Sequence, residues 1–208
     1  MFFWQQHEAL LAAKYFWHSL PCTLRRLDVT FKVLFPHLVL LLWVASASAQ
    51  KAEKVSFADN RFSIEIPPGW KKSPSKSDPA SVLQYDAPSG EGSFSTYKLR
   101  VKKGRKADLE GTLAARVHAF EKAGLKLSAK VQSQKQDNFD GKPAIFGVVP
   151  VKATAQGEAV RFTYYLVLID AKDSVILMQA ALPSPLTAAL QKDALSIIQS
   201  FREKDPGP

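Results

Sequence analysis

The stretch Arg61-Phe-Ser-Ile-Glu-Ile-Pro-Pro-Gly-Trp70 decides the fold that we predict for this chain. Apolar and polar residues alternate from Phe62 to Ile66, which is the period of a half-buried strand. The Pro-Pro-Gly that follows ends the strand, because proline gives a sheet no donor and glycine permits a sharp turn. We expect Trp70 to cover one end of the core.

The composition fits one domain with an extra segment at the front. The chain has 208 residues, of which 46% are apolar and 11% aromatic, enough for a sizeable core and too many for a wholly disordered chain. Its one cysteine is Cys22, so no disulfide can form after residue 49. A cysteine-free domain tolerates an oxidising compartment.

A secretory signal peptide is predicted near the start. An apolar run, Val33–Ala45, follows a basic segment that ends at Lys32 and precedes small residues that suit a cleavage site. We predict cleavage after Ala49, so residues 1–49 are an extension plus signal peptide and residues 50–208 are one periplasmic or secreted domain. The run is shorter than the ~20 residues that span a bilayer, and an uncleaved anchor is the alternative.

Residues 1–23 form an unusual, aromatic-rich extension in front of the signal. Two explanations remain open, a translation start further along the chain and an amphipathic helix on the membrane surface. Cys22 precedes the apolar run, so no lipid anchor is predicted.

The middle of the domain combines a helix with strands. A helix is predicted over Asp108–Ala123, with Asp108 as its N-cap and a solvated face that includes Arg116. Residues 125–137 alternate as a strand with one solvated face. Asp140-Gly141 is typical of a hairpin turn.

Three later runs are apolar at both odd and even positions: residues 144–151, 164–169 and 175–182. Such strands are buried on both faces, and the short loops between them predict antiparallel neighbours. Pro150 predicts a break or bulge in the first run. Ser184 is predicted to cap the last helix.

These motifs resemble the PsbP-like family, which includes Mog-type Ran-binding proteins and periplasmic DcrB-type proteins. The resemblance rests on the strand exit at Trp70, on Asp140-Gly-Lys-Pro-Ala144, on Phe162-Thr-Tyr-Tyr165 and on a last helix ending at Phe201. It implies an α+β fold in which helices pack on both faces of a central antiparallel sheet, an α/β/α sandwich. It implies accessory, assembly or binding roles and assigns no site residue.

Few residues suggest chemistry. The predicted mature domain has one histidine, His118, which is too few for a zinc site of about four ligands. The sequence contains no Gly-x-Ser-x-Gly motif and no phosphate-binding glycine loop. We therefore predict no enzyme, no catalytic residue, no metal site and no cofactor. A cryptic hydrolase that uses His118 is the remote alternative.

One charged segment stands out and is called the basic strip: Lys98, Arg100, Lys102, Lys103, Arg105 and Lys106. The net charge is +9, and the predicted mature domain keeps +7 because residues 1–49 carry four basic and two acidic residues. The strip is either an anion-binding surface or a solvated face whose lysines discourage edge pairing.

The sequence thus predicts an exported, non-enzymatic accessory or interaction protein of the bacterial envelope, with a protein partner. The alternative is a binder of anionic lipid headgroups or envelope polymers through the basic strip. Nucleic acid is not expected, because export removes the protein from it. Contact with the membrane is expected only through an uncleaved signal segment.

Overall fold

The computed structural model describes residues 51–74, 78–102, 104–155, 158–171 and 173–204. The predicted signal peptide, its cleavage site and the aromatic extension lie outside these residues. The helices are α1 (Leu109–Lys122) and α2 (Ala188–Gln199). The strands are β1 (Glu53–Phe57), β2 (Phe62–Ile66), β3 (Lys71–Lys72), β4 (Leu83–Asp86), β5 (Ser93–Arg100), β6 (Lys126–Leu127), β7 (Gln132–Phe139), β8 (Lys142–Ala155), β9 (Glu158–Asp170), β10 (Ser174–Pro183) and β11 (Arg202–Glu203).

The strands form two antiparallel sheets. The large sheet has the order β3-β4-β5-β10-β9-β8-β6, and β7 pairs with β8 on the same edge as β6. The small sheet has the order β1-β2-β11, so the strand predicted over residues 62–66 lies at its centre. Trp70 is buried in the core at the end of that segment, as predicted.

Two cores flank the large sheet, because alternate residues of β9 and β10 enter different ones. The first core packs Val167 and Met178 against β2 and α2. The second core packs Leu166 and Leu177 against α1. All four of these side chains are at most 3% exposed, which confirms strands that are buried on both faces.

The predicted α/β/α sandwich, an α+β fold with helices packed on both faces of a central sheet, is wrong. Strands make up 49% of the described residues and the two helices only 18%, and the large sheet curls into a half-barrel. The reason is geometric. One helix about 10 Å across cannot cover seven strand positions spaced about 4.8 Å apart. The sheet's own curvature and the small sheet supply much of the cover that the prediction assigned to helices.

Local signals placed α1 correctly. The Asp108 side chain accepts a hydrogen bond from Gly111 N at 2.8 Å and caps the helix. Gly124 follows the helix with a φ of +86°. This left-handed conformation is one that glycine adopts without strain. The Asp140-Gly141 hairpin is also confirmed, since both residues have positive φ and join β7 to β8.

Three local predictions were wrong. Residues 125–137 do not form one strand, because the chain leaves the ladder between β6 and β7. β8 continues through Pro150, whose carbonyl accepts from Ser128 N at 2.9 Å. The N–H and C=O of one residue face the same side of an antiparallel strand. The N–H that Pro150 lacks would therefore point toward the segment between β6 and β7, where the ladder is interrupted. Thr187, not Ser184, caps α2, because Ser184 N still donates a hydrogen bond to the carbonyl of Arg161 in β9.

Candidate binding surface

The basic strip begins on a strand that is held firmly from one side. β10 pairs with β5 along its whole length, with Ile176 opposite Lys98 and Ser174 opposite Arg100. Between these two cations, Leu99 packs against the second core, and Tyr97 just before them is buried in it. The apolar positions of β5 therefore point into the core and direct Lys98 and Arg100 outward.

The strip continues into the turn before α1. Arg105 N donates to Lys102 O at 3.0 Å, and Gly104 between them has a φ of +77°. Lys103 lies outside the described residues. The structure thus brings the five described members of the strip together on β5 and the turn that follows it.

The side chains of these five members are exposed, and no described acidic residue forms a salt bridge with them. Lys98, Arg100, Lys102, Arg105 and Lys106 are all exposed. None of the salt bridges between described residues includes any of them. The strip is therefore a concentration of positive charge that is available to a partner.

A separate group of charges, the ionic cluster, is internally paired: Arg61, Asp140, Lys142, Asp173, Arg202 and Glu203. Arg61 contacts Glu203 Oε1 at 2.5 Å and Asp173 Oδ1 at 2.6 Å, and Lys142 contacts Glu203 Oε2 at 2.9 Å. Asp173 lies next to the end of β5, where its carbonyl accepts from Val101 N. Its carboxylate is engaged by Arg61 and Ser174 and not by Arg100.

The ionic cluster lowers the pKa of two of its carboxylates, Asp173 and Glu203. The hydrogen bond from Arg61 holds the pKa of Asp173 below its ordinary value. Burial acts to raise the pKa of Glu203, but hydrogen bonds from Lys142 and Arg61 outweigh it and leave the pKa lowered. Sequence patterns could not find this cluster, because its members come from distant turns and strand ends.

His118 lies at an open groove of about 440 Å³ between α1, β7 and β8. Leu113, Val117 and Ile145 provide apolar lining. The ring of His118 is exposed, with Nδ1 3.5 Å from Glu121 Oε2. Within the part of the chain that the structure describes, no three His, Cys, Asp or Glu side chains are grouped so as to hold a metal ion.

Arg116 was predicted to face solvent and is instead 8% exposed. Its Nε donates to Gln179 Oε1 at 2.9 Å, and its guanidinium lies 5.0 Å from the ring centroids of Tyr97 and Phe120. The sequence did carry a signal for this position. Arg116 follows Leu113 by three residues and precedes Phe120 by four, so it shares their helical stripe.

Two solved structures with TM-scores of 0.50 or more show the same fold. The chain is similar to cyanobacterial PsbP (CyanoP) from Synechocystis sp. PCC 6803, with a TM-score of 0.57, 10% identity, and coverage of 74% of this chain and 93% of that one. It is also similar to a protein from Bacteroides thetaiotaomicron, with a TM-score of 0.50, 14% identity, and coverage of 76% and 50%. LpqN, involved in cell envelope biogenesis of Mycobacterium tuberculosis, gives a TM-score of 0.42, 15% identity, and coverage of 73% and 90%.

The curled antiparallel sheet with two helices is thus the PsbP-like fold, and the resemblance found in the sequence is confirmed at the level of fold. No protein-family profile and no curated protein matches the chain. Neither helix in the described residues is long and apolar enough to cross a bilayer.

Proposed function

We propose that this protein is an exported, non-enzymatic accessory protein of the bacterial envelope that binds an acidic protein partner through the basic strip. The observation that carries the proposal is the exposure of five cations that have no salt bridge to a described residue. A concentrated positive surface attracts and orients an anionic partner.

The contrast with the rest of the domain supports a binding role for the strip. Arg61 and Lys142 are each paired with carboxylates in the ionic cluster. Lys98 and Arg100 stand two residues apart on one strand face, where like charges repel each other across about 7 Å. An acidic partner would offset this repulsion. Its binding to the strip is therefore electrostatically more favourable than its binding to a surface whose charges are already paired.

Export is supported by the sequence before the domain. The basic segment, the short apolar run Val33–Ala45 and the small residues up to Ala49 predict a signal peptide. The cysteine-free mature domain suits an oxidising compartment. These features support a periplasmic or secreted location for the proposed partner as well.

Affinity capture from an envelope extract tests the proposal. The bait proteins are the wild type, Lys98→Glu/Arg100→Glu, and the matched control Lys71→Glu/Lys72→Glu, which reverses two exposed lysines on β3. We expect an acidic protein to be captured by the wild type and the control and to be lost with the strip variant. Capture should also weaken as ionic strength rises.

Two other results would overturn the proposal. If charge reversal at Lys98 and Arg100 leaves every captured protein in place, the strip is a solvated face. If the same variant instead abolishes sedimentation with phosphatidylglycerol vesicles while no acidic protein depends on the strip, the ligand is anionic lipid. Purified anionic envelope polymers, tested in the same way, separate the polymer alternative from both.

A further inference from the structure

We infer that the outer edge of β5 binds an extended acidic segment of the partner as an added antiparallel strand. This inference rests on the proposed function and specifies how the basic strip makes contact. It is carried by a stretch of β5 that pairs with no described strand on one side and that contains the first two cations of the strip. The stretch Lys98–Arg100 is called the open edge below.

The open edge exists because β4 is shorter than β5. The β4–β5 ladder runs from Asp86 opposite Ser93 to Leu83 opposite Thr96 and stops there. β10 continues on the other side of β5 as far as Arg100. In the described part of the chain no strand pairs with residues 98–100 from the β4 side. One side of this segment is therefore held by β10, and the other faces no described strand.

The backbone directions at the open edge follow from two hydrogen bonds. Thr96 O accepts from Val82 N on the β4 side, and Val101 N donates to Asp173 O on the β10 side. In an antiparallel strand, N–H and C=O of one residue face the same side, and the side alternates along the chain. The N–H and C=O groups of Lys98 and Arg100 therefore face the open edge.

The same two residues carry the charges. An added strand places alternate side chains on one face about 7 Å apart, which matches the spacing of Lys98 and Arg100. Carboxylates at every second position of the partner would lie beside these cations while its backbone pairs with theirs. Lys102 and Arg105 extend the positive surface at the end of the edge.

Charge also decides which strand can occupy the edge. Lysines on an exposed edge protect a sheet from pairing with another copy of itself. A second copy of this chain would bring the same cations into contact with Lys98 and Arg100. An acidic strand reverses that repulsion, so the feature that excludes self-association selects an acidic partner.

The test uses three short peptides of one composition, all acetylated and amidated. The first alternates Glu with Thr, the second places all Glu residues in one block, and the third is the alternating peptide with N-methyl groups on every second residue. Binding to the purified protein is followed by fluorescence anisotropy, and amide exchange of Lys98 and Arg100 is followed by NMR. We expect the alternating peptide to bind about tenfold more tightly than the other two and to protect both amides.

A pair of protein variants separates backbone pairing from charge. Lys98→Gln and Lys98→Pro both remove the charge, but only proline also removes the N–H that faces the open edge. We expect the proline variant to bind the alternating peptide more weakly than the glutamine variant. Proline is tolerated on an edge whose N–H faces outward, and the N-methylated peptide gives the same answer if this variant does not fold.

Equal affinities for the alternating, block and N-methylated peptides would overturn strand addition, as would unprotected amides at Lys98 and Arg100. If those equal affinities are lost in Lys98→Glu/Arg100→Glu, the basic strip remains a binding surface and only the strand geometry is wrong. If no peptide binds and capture from the extract does not depend on the strip, the proposed function fails as well.

Discussion

Arg61 Nε lies 2.5 Å from Glu203 Oε1, and this contact joins residues that are 142 positions apart in the chain. The same guanidinium donates to Ala171 O at 2.7 Å and contacts Asp173, both at the turn between β9 and β10. Lys204 N in turn donates to Arg61 O at 2.7 Å. One side chain therefore fastens the small sheet to the end of the large sheet.

The first prediction concerns the stability that Arg61 supplies. Arg61→Met should lower the free energy of unfolding by about 1–3 kcal/mol, because the largely buried carboxylate of Glu203 and the carbonyl of Ala171 lose a charged donor. Urea denaturation measures the change. The control is Lys135→Gln, whose exposed pair with Glu110 at 2.8 Å should contribute less than about 1 kcal/mol. Equal losses in the two variants would contradict a special role for Arg61.

The second prediction concerns acid stability. The pKa values of Glu203 and Asp173 are lowered in the folded state, so the unfolded chain binds more protons than the folded protein. Their contribution is complete above the unfolded pKa values of about 4 and is lost as the pH falls through the folded ones. We expect Glu203→Gln to be less stable than the wild type at neutral pH, and the two free energies of unfolding to converge in acid.

Urea denaturation at a series of pH values from neutral to strongly acid checks this convergence. The slope of stability against pH should be shallower for Glu203→Gln than for the wild type. Parallel curves across the whole range would show that Glu203 does not contribute to the acid sensitivity.

The third prediction concerns Arg116, which packs between α1 and the large sheet. Arg116→Ala should lower the free energy of unfolding by about 2–3 kcal/mol, because it removes the donor to Gln179 together with the packing on Tyr97 and Phe120. Thermal and urea denaturation report the loss. Lys122→Ala, at an exposed position of the same helix, should change stability by less than about 0.5 kcal/mol.

The fourth prediction concerns the contact between Leu113 of α1 and Gly147 of β8. A Cβ added at Gly147 would lie 3.0 Å from Leu113 Cδ1 and 3.3 Å from Cδ2. Gly147→Ala should therefore destabilise the protein by about 1–2 kcal/mol through overpacking. In a Leu113→Ala background the same substitution should have a smaller effect, which a double-mutant cycle measures. An undiminished effect would place its cause elsewhere in β8.

Local rules found those elements whose causes are local. The cap at Asp108, the glycine after α1 and the Asp140-Gly141 turn all follow from hydrogen bonds or dihedral angles within a few residues. The strands that are buried on both faces were also predictable, because their apolar residues occupy both odd and even positions. The sandwich was wrongly predicted because that pattern shows that both faces are covered and does not show whether a helix or a curled sheet covers them.

The candidate surface was predictable in part. The sequence identified the basic strip, since alternation along β5 separates Lys98 and Arg100 from the apolar residues beside them. It could not show that the β4–β5 ladder ends where Leu83 pairs with Thr96, so that no described strand pairs with the rest of that edge, because this depends on the lengths of two paired strands. It also missed the burial of Arg116, which depends on the position of Gln179 across the sheet.

By itself, the sequence determined the β2 strand with its Pro-Pro-Gly exit, the bounds of α1, the hairpin at Asp140 and the run of basic residues. Each of these depends on neighbours in the chain. Only the tertiary structure decided that the sheet curls, that Arg61 contacts Glu203, and that no described strand pairs with β5 on one side of Lys98 and Arg100. Those features depend on which distant segments meet, and a pattern of neighbouring residues does not specify such contacts.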